Sequence, residues 1–492
     1  MTNTGPDSAL IQRLSAGATR LSDYGPQLTV EFDAHQFQDA RVVWRNTDWL
    51  ASCGVDAKDS NTLGKLDEWL VDDFAYATPS DGLLPGTLGT RSQRFQADRY
   101  GNPVGSDSGG SGRVGIRGEF HVKGCGSTPL VGKNTSWMHS HGCLWMEEAI
   151  REAIYSRIAS KFFPHSSLPV VAIIDTGVHF IHFGHGGEQI VGARRAMVVR
   201  PNFLRPASFQ RSIMFGTAGT ADSDQYLDAL RVRGVVQRFA SDAASRGSTT
   251  FEDVADLFIK LAEQVGSGWA HRLSHDFLAS NLTIRGELVD FGGFRAVPTW
   301  RRADYFGREF FQLGLSLDSL SFFLRKYSGT GFSVPEKDSL KARMRSASER
   351  SFRAIASSVM GDTLREGVSL PSEFVDAAWA SFNEQQDGAW EAGQGHVDGR
   401  RVLWPGAAGP GLFPIDQPGS ASLAEMVDQA RISCARLNIN SCAAQRWLRP
   451  KRLWYRESVL RLCRQLSDFD SVTAPRYQDR LDSFIRVMAA RY

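Results

Sequence analysis

From Arg113 to Gly124 the chain reads RVGIRGEFHVKG, and apolar and polar residues alternate. Val114, Ile116, Phe120 and Val122 share one parity; Arg113, Arg117, Glu119, His121 and Lys123 share the other. That period of two predicts a strand with one buried and one polar face. Between Cys143 and Phe162 the period lengthens. Met146, Ile150, Ile154 and Ile158 recur every fourth residue, which predicts a helix. LPVVAIIDTG (Leu168–Gly177) and RRAMVVRP (Arg194–Pro201) read as two more strands. Beyond about residue 206 the pattern is mainly helical, as in FEDVADLFIKLAEQV, with a short strand-like pair at NLTIRGELVDFGGF. Residues 1 to about 95 read as short helices and turns, and YGNPVGSDSGGSG (Tyr100–Gly112) as a loop too rich in glycine to pack a core. The Gly/Pro-rich stretch from Trp404 reads as a connection before closing helices.

A β-rich half with one helix, followed by a helical half with a small hairpin, predicts an α+β chain of protein-kinase-like, two-lobed architecture. The N-terminal lobe spans 1–205 and the C-terminal lobe 206–492. A length of 492 residues suits two lobes better than one core. The formal net charge of +2 gives no bulk attraction for nucleic acid or an anionic membrane, so neither is an expected partner. No run of about 18 apolar residues predicts a membrane span, and the N-terminus lacks a signal-peptide pattern; a cytoplasmic location is expected. The six cysteines (53, 125, 143, 434, 442 and 463) form no C-x-x-C pair and read as free thiols.

The chemistry concentrates in SHDFLASNLTIRGELVDFGGF. Asp276 precedes Asn281 by five residues, the spacing of a kinase catalytic loop, and Asp290-Phe291-Gly292 follows as a metal-binding DFG element. Nucleotide phosphates need a divalent ion to offset their charge, and Mg²⁺ (or Mn²⁺) takes hard oxygen ligands, here Asn281 and Asp290. Asp276 is the candidate base. Ser274 stands where kinases carry His. Upstream, Lys123 is placed to contact phosphates, with Glu152 as its helix partner and Glu147 and Glu148 as rivals. Gly110 and Gly112, in the loop that ends at Arg113, let backbone amides approach phosphate, and Arg200 and Arg205 supply charge beside them.

Four segments resemble blocks of the selenoprotein O family of kinase-like protein adenylyltransferases. VKGCGSTP resembles its L-K-G-A-G-P-T-P block and AIREAI its S-I-R-E-F helix. RPNFLRPASFQ is similar to its A-P-S-F-L-R-F-G-S-F-E block, and SNLTIRGELVDFGGF to its D-N-M-S-I-x-G-L-T-I-D-Y-G-P-F-G block. The blocks occur in family order over roughly residues 100 to 295. The resemblance implies an inverted ATP, with AMP passing to a hydroxyl of a protein or peptide and pyrophosphate leaving. It implies nucleotide contacts from Gly110, Gly112, Arg113, Lys123, Gly142 and Arg205, and Mg²⁺ on Asn281 and Asp290. Ser280 replaces the family's expected base, leaving Asp276 for that role. His141 replaces the Asp of a D-G pair, and Val198 falls at the first family arginine, with Arg200 of the same parity as its substitute.

Alternatives stay open: a phosphotransferase on a protein or small molecule, a ligase working through an acyl-adenylate, and an ATP-binding scaffold without turnover. His179, His182 and His185 read as a turn between strands rather than a zinc site. RWLRPKRLWYRESVLRLCRQ reads as an amphipathic helix rather than a nucleic-acid patch, and Cys463 within it as a buried thiol.

Overall fold

A computed structural model describes residues 6, 8–79, 83, 86–101, 107–135, 140–183, 189–217, 220–296, 309–361, 379, 456–468, 472 and 476–489. The Trp404 connection, Cys434, Cys442, His185 and Trp447, Trp454 and Tyr455 lie outside the described residues. The strands are β1 (Thr29–Phe37), β2 (Arg41–Arg45), β3 (Tyr76–Ala77), β4 (Leu88–Asp98), β5 (Val114–Arg117), β6 (Phe120–Lys123), β7 (Leu144–Trp145), β8 (Ala172–Phe183) and β9 (Gln189–Pro201), then β10 (Leu273–Ser274) and β11 (Arg295–Ala296). The helices are α1 (Ser8–Leu14), α2 (Thr47–Ser52), α3 (Ser60–Phe74), α4 (Met146–Phe162), α5 (Ala221–Ser245), α6 (Thr250–His271), α7 (Glu309–Ser328), α8 (Val334–Gly361), α9 (Arg456–Ser467) and α10 (Tyr477–Ala489). The chain is therefore mixed α+β: a large antiparallel sheet in its N-terminal half and helices later. Among the described residues no helix is long and apolar enough to cross a membrane.

The sheet runs β2-β8-β9-β6-β5-β4-β1-β3, with β7 branching from β9. Consecutive strands β1 and β2 lie six places apart in this order, roughly 29 Å if the sheet were flat. Yet residues 38–40 alone join them, a reach of about 14 Å at most. The sheet must therefore roll. Gly177 of β8 lies beside the link, in line with the β2–β8 register, and a Cβ there would stand 2.7 Å from Asp39 Cβ. The roll separates two cores. Inside are Phe37, Phe95, Phe120, Val122, Met197 and Val199, packed against α1 and α3. On the other face Ile116, Val198 and the apolar side of α4 join the helices of the C-terminal half.

Three sequence expectations change. RVGIRGEFHVKG is two strands, because Gly118, at φ 58°, turns the chain between β5 and β6. Ile116 pairs with His121 and Val114 with Lys123, so Ile116 and Phe120 enter opposite cores although their parity matches. The first hundred residues contribute β1 to β4, beyond the expected helices and turns. His179 and His182 lie in β8 rather than in a turn. The order of the chain also folds back on itself. Helices α9 and α10, from the second half, pack on α4. Trp44 Nε1 donates to Asp482 Oδ1 at 2.8 Å, and Arg464 meets Glu147 at 3.4 Å.

Candidate functional site

Strand β6 delivers Lys123 to a buried junction. Its ammonium bonds Glu152 Oε1 of α4 at 2.7 Å and Asp290 Oδ1 at 3.3 Å, with Glu148 Oε1 at 3.5 Å. The Lys123 and Glu152 side chains are 3% and 1% exposed, so the pair interacts with little screening. Of the three candidate acids, Glu152 is the near partner, and Glu147 turns away to Arg464. The period-four pattern of α4 explains the selection. Met146, Ile150 and Ile154 bury the helix, and Glu148 and Glu152, one turn apart, face β6 from it.

Arginines ring this junction. Arg113 grips Glu148 through two bonds, of 3.1 and 2.7 Å, and donates to the Cys143 carbonyl at 3.2 Å. Arg200, whose β9 register pairs it with His121, stands 3.5 Å from Glu152 Oε2. Arg205 bonds Asp98 at 2.8 Å and also donates to the Ser280 carbonyl, tying β4 to the loop that carries Asn281. Tyr100 and Phe203 flank its guanidinium at 4.7 and 4.3 Å. Burial favours the neutral acid at Glu148, but Arg113 and Lys123 outweigh it and bring its pKa down to about 2. Burial likewise opposes charge on Asp290, and there Lys123, Arg113 and Arg200 prevail, holding the carboxyl far below its ordinary range.

Asn281 and Asp290 sit on the two arms of a narrow turn. Val289 N donates to Asn281 O at 3.0 Å, and Leu282 bridges Leu288. Asp290 adopts φ 59°, a left-handed conformation that a non-glycine residue holds only when its surroundings impose it. Phe291 supplies part of that constraint, buried edge-on against Phe294 at 5.4 Å. Gln264 of α6 anchors the turn from behind, donating to Ser166 O and Gly286 O at 3.0 Å each. Asp276 lies before Asn281, with Arg295 at 3.7 Å, and a Cβ on Gly293 would fall 1.8 Å from its Oδ2.

The glycine-rich loop is pressed onto β4 rather than arched free. Gly109 N donates to Leu130 O and Ser111 N to Asp98 O, each at 2.9 Å. At Gly110, φ 155°, a Cβ would collide with Asp98 O at 2.1 Å. Gly112 accepts from Thr128 N at 3.1 Å. Gly142 also needs its missing side chain, since at φ 68° a Cβ would lie 1.9 Å from the Gly126 carbonyl carbon. His141 takes a different environment: Nδ1 accepts from Cys143 N at 3.0 Å and the ring stacks on Trp145 at 6.0 Å. The coordinates thus bring Lys123, Glu152, Asp290, Arg113 and Arg200 together, link Arg205 to the Asn281 loop, and give His141 aromatic company instead.

Sequence reasoning missed two contributors. Glu148 is the principal clamp for Arg113, not merely a rival for Lys123. His275, beside Asp276, is buried and bonds Phe277 N at 3.1 Å and Val289 O at 3.2 Å, stapling the Asp276 loop to the Asp290 arm. Burial depresses its pKa and favours the neutral ring these bonds require. No spacing rule marks a histidine for that task. Among the described residues no group of three or more His, Cys, Asp or Glu could hold a metal alone. Asn281 and a firmly ionised Asp290 fit the fewer protein oxygens Mg²⁺ takes when phosphates complete its shell. The chain matches no protein-family model and no curated protein.

Proposed function

We propose that this chain is a Mg²⁺- or Mn²⁺-dependent, ATP-using transferase of protein-kinase-like, two-lobed architecture. Its proposed reaction is the transfer of AMP to a hydroxyl of a protein or peptide. One observation carries the reading: the Lys123 ammonium lies between Glu152 and Asp290, three residues 29 and 138 positions apart in sequence. Such a junction fixes one cation beside one metal-binding carboxylate, the pair a triphosphate needs. In this reading the lobes divide near residue 205, with α9 and α10 returning to brace the first. A bound metal supplies positive charge to the phosphates. The acceptor oxygen attacks the α-phosphorus, the bond to the β-phosphate oxygen breaks, and pyrophosphate leaves. Asp276 takes the acceptor's proton. The AMP direction rests on the selenoprotein O resemblance. The arginine cluster supports it, since three guanidiniums near Asp290 can stabilise charge spread over the whole triphosphate.

A second reading, phosphotransfer, draws on Asp276. It stands at the kinase catalytic-loop spacing before Asn281, and its carboxylate is part-exposed. Incubation with ATP labelled at the α- or γ-phosphate separates the two. Retained α-label supports AMP transfer, and retained γ-label overturns it in favour of phosphorylation. Release of AMP and pyrophosphate with no label retained replaces both with ligation. Nucleotide-induced stabilisation without turnover leaves a scaffold.

A further inference from the structure

Arg195 occupies β9 inside the rolled sheet, and the residue is 1% exposed. Both of its terminal nitrogens are buried and, among the described residues, bond to no acceptor. Its register partner is Trp145 of β7. Directly paired residues share a sheet face, so the indole and the guanidinium are neighbours. The Trp145 Nε1–H is likewise buried without an acceptor. Phe37 closes one side, its ring 5.3 Å from the guanidinium.

The two cysteines whose charge would bear on Arg195, Cys125 and Cys143, are donors too. The Cys125 thiol donates to Val122 O and the Cys143 thiol to His141 O, each at 3.4 Å. Burial pushes Cys125 up to about 12 and raises Cys143 as well, so neither offers a thiolate near neutral pH. The neighbouring carboxylate, Asp175, is engaged on the opposite face by Arg194 at 2.7 and 2.6 Å. An unpaired guanidinium in an apolar core is among the least favourable arrangements a fold can hold.

We infer that Arg195 and Trp145 form a binding site for one small monovalent anion, a halide or a compact carboxylate such as formate. Two guanidinium N–H groups suit either a single ion or the paired oxygens of a carboxylate. Trp145 is itself part-exposed, so its ring forms the wall between site and solvent. It is also the residue from which α4 starts, without a side-chain cap. An anion here braces the origin of the helix that carries Glu148 and Glu152. The inference stands apart from the ATP reading.

The test uses the full chain in a gluconate buffer at constant ionic strength, titrated separately with chloride and with sodium formate. The expected result is a saturable rise in Tm of a few degrees for at least one anion. The arm with the lower half-saturation identifies the preferred chemistry. Arg195→Met abolishes the saturable rise. Trp145→Phe, which keeps a ring and removes one donor, weakens the half-saturation about tenfold and keeps the inference testable if Arg195→Met fails to fold. Identical, non-saturating responses in wild type and Trp145→Phe overturn it. So does thiolate absorbance at neutral pH that vanishes in Cys143→Ser or Cys125→Ser, because the counter-charge would then be internal.

Discussion

Glu152→Ala is the sharpest perturbation of this site. The carboxylate faces Lys123 at 2.7 Å and Arg200 at 3.5 Å, and all three side chains are 3% exposed or less. Its removal leaves two buried cations with a shared partner gone. Breaking a buried ion pair costs about 3–5 kcal/mol. Glu148 and Asp290 remain within 3.5 and 3.3 Å of Lys123, which places the expectation at the lower end, about 3 kcal/mol. Urea unfolding followed by circular dichroism and by tryptophan fluorescence measures it, with coincident curves required before a free energy is assigned. Adding Lys123→Met to Glu152→Ala removes one stranded cation. The double variant is then expected to recover at least about 1 kcal/mol relative to Glu152→Ala. A single-variant loss below about 1 kcal/mol, or a double variant less stable than Glu152→Ala, refutes the electrostatic account of the junction.

Three other outcomes are expected. Asp290→Asn keeps a residue type that tolerates left-handed backbone and removes the charge; metal-dependent ATP binding, measured by calorimetry, should fall at least about a hundredfold while the fold persists. Glu148 has a folded pKa near 2 against an ordinary 4.5, so the unfolded chain binds more protons between those values and stability rises with pH across that window. Its contribution, on the order of 3 kcal/mol, is full above pH 4.5 and lost as pH falls through 2; acid unfolding of Glu148→Gln, compared with wild type, should lack that dependence. Gly293→Ala drives a methyl group into the Asp276 carboxylate, so turnover should drop at least tenfold with ATP affinity nearly unchanged; equal losses in both would assign Asp276 to structure or metal binding.

Where one residue type and one spacing sufficed, the site was legible in sequence. The Asp276, Asn281 and Asp290 spacing located a loop and turn that the fold draws together, and the helix after Lys123 offered Glu152 as its partner with Glu147 and Glu148 as rivals. Strand parity failed at Gly118, because a two-residue turn resets which face each side chain meets, and no alternation rule detects the reset. Strand β4, GTRSQRFQAD after Leu88, escaped notice because only Phe95, Ala97 and Asp98 are buried along its length. Its outer half is solvated, so its pairing with β1 leaves little hydrophobic trace. His275 and Gln264 were invisible for a related reason. Each acts by bonding backbone groups brought near by the fold, and such roles impose no pattern on the neighbouring sequence.

The return of α9 and α10 to α4 has a consequence for synthesis. Trp44 and Asp482 meet across 438 positions, so a ribosome must emit nearly the whole polypeptide before that bond can close. Until then the outer flank of α4, including Glu147, awaits its cover, and the helix that carries Glu148 and Glu152 is among the last parts to be secured. A nascent chain stalled before Arg456 would carry every residue proposed for the chemistry and still lack the wall that backs the helix bearing two of its acids.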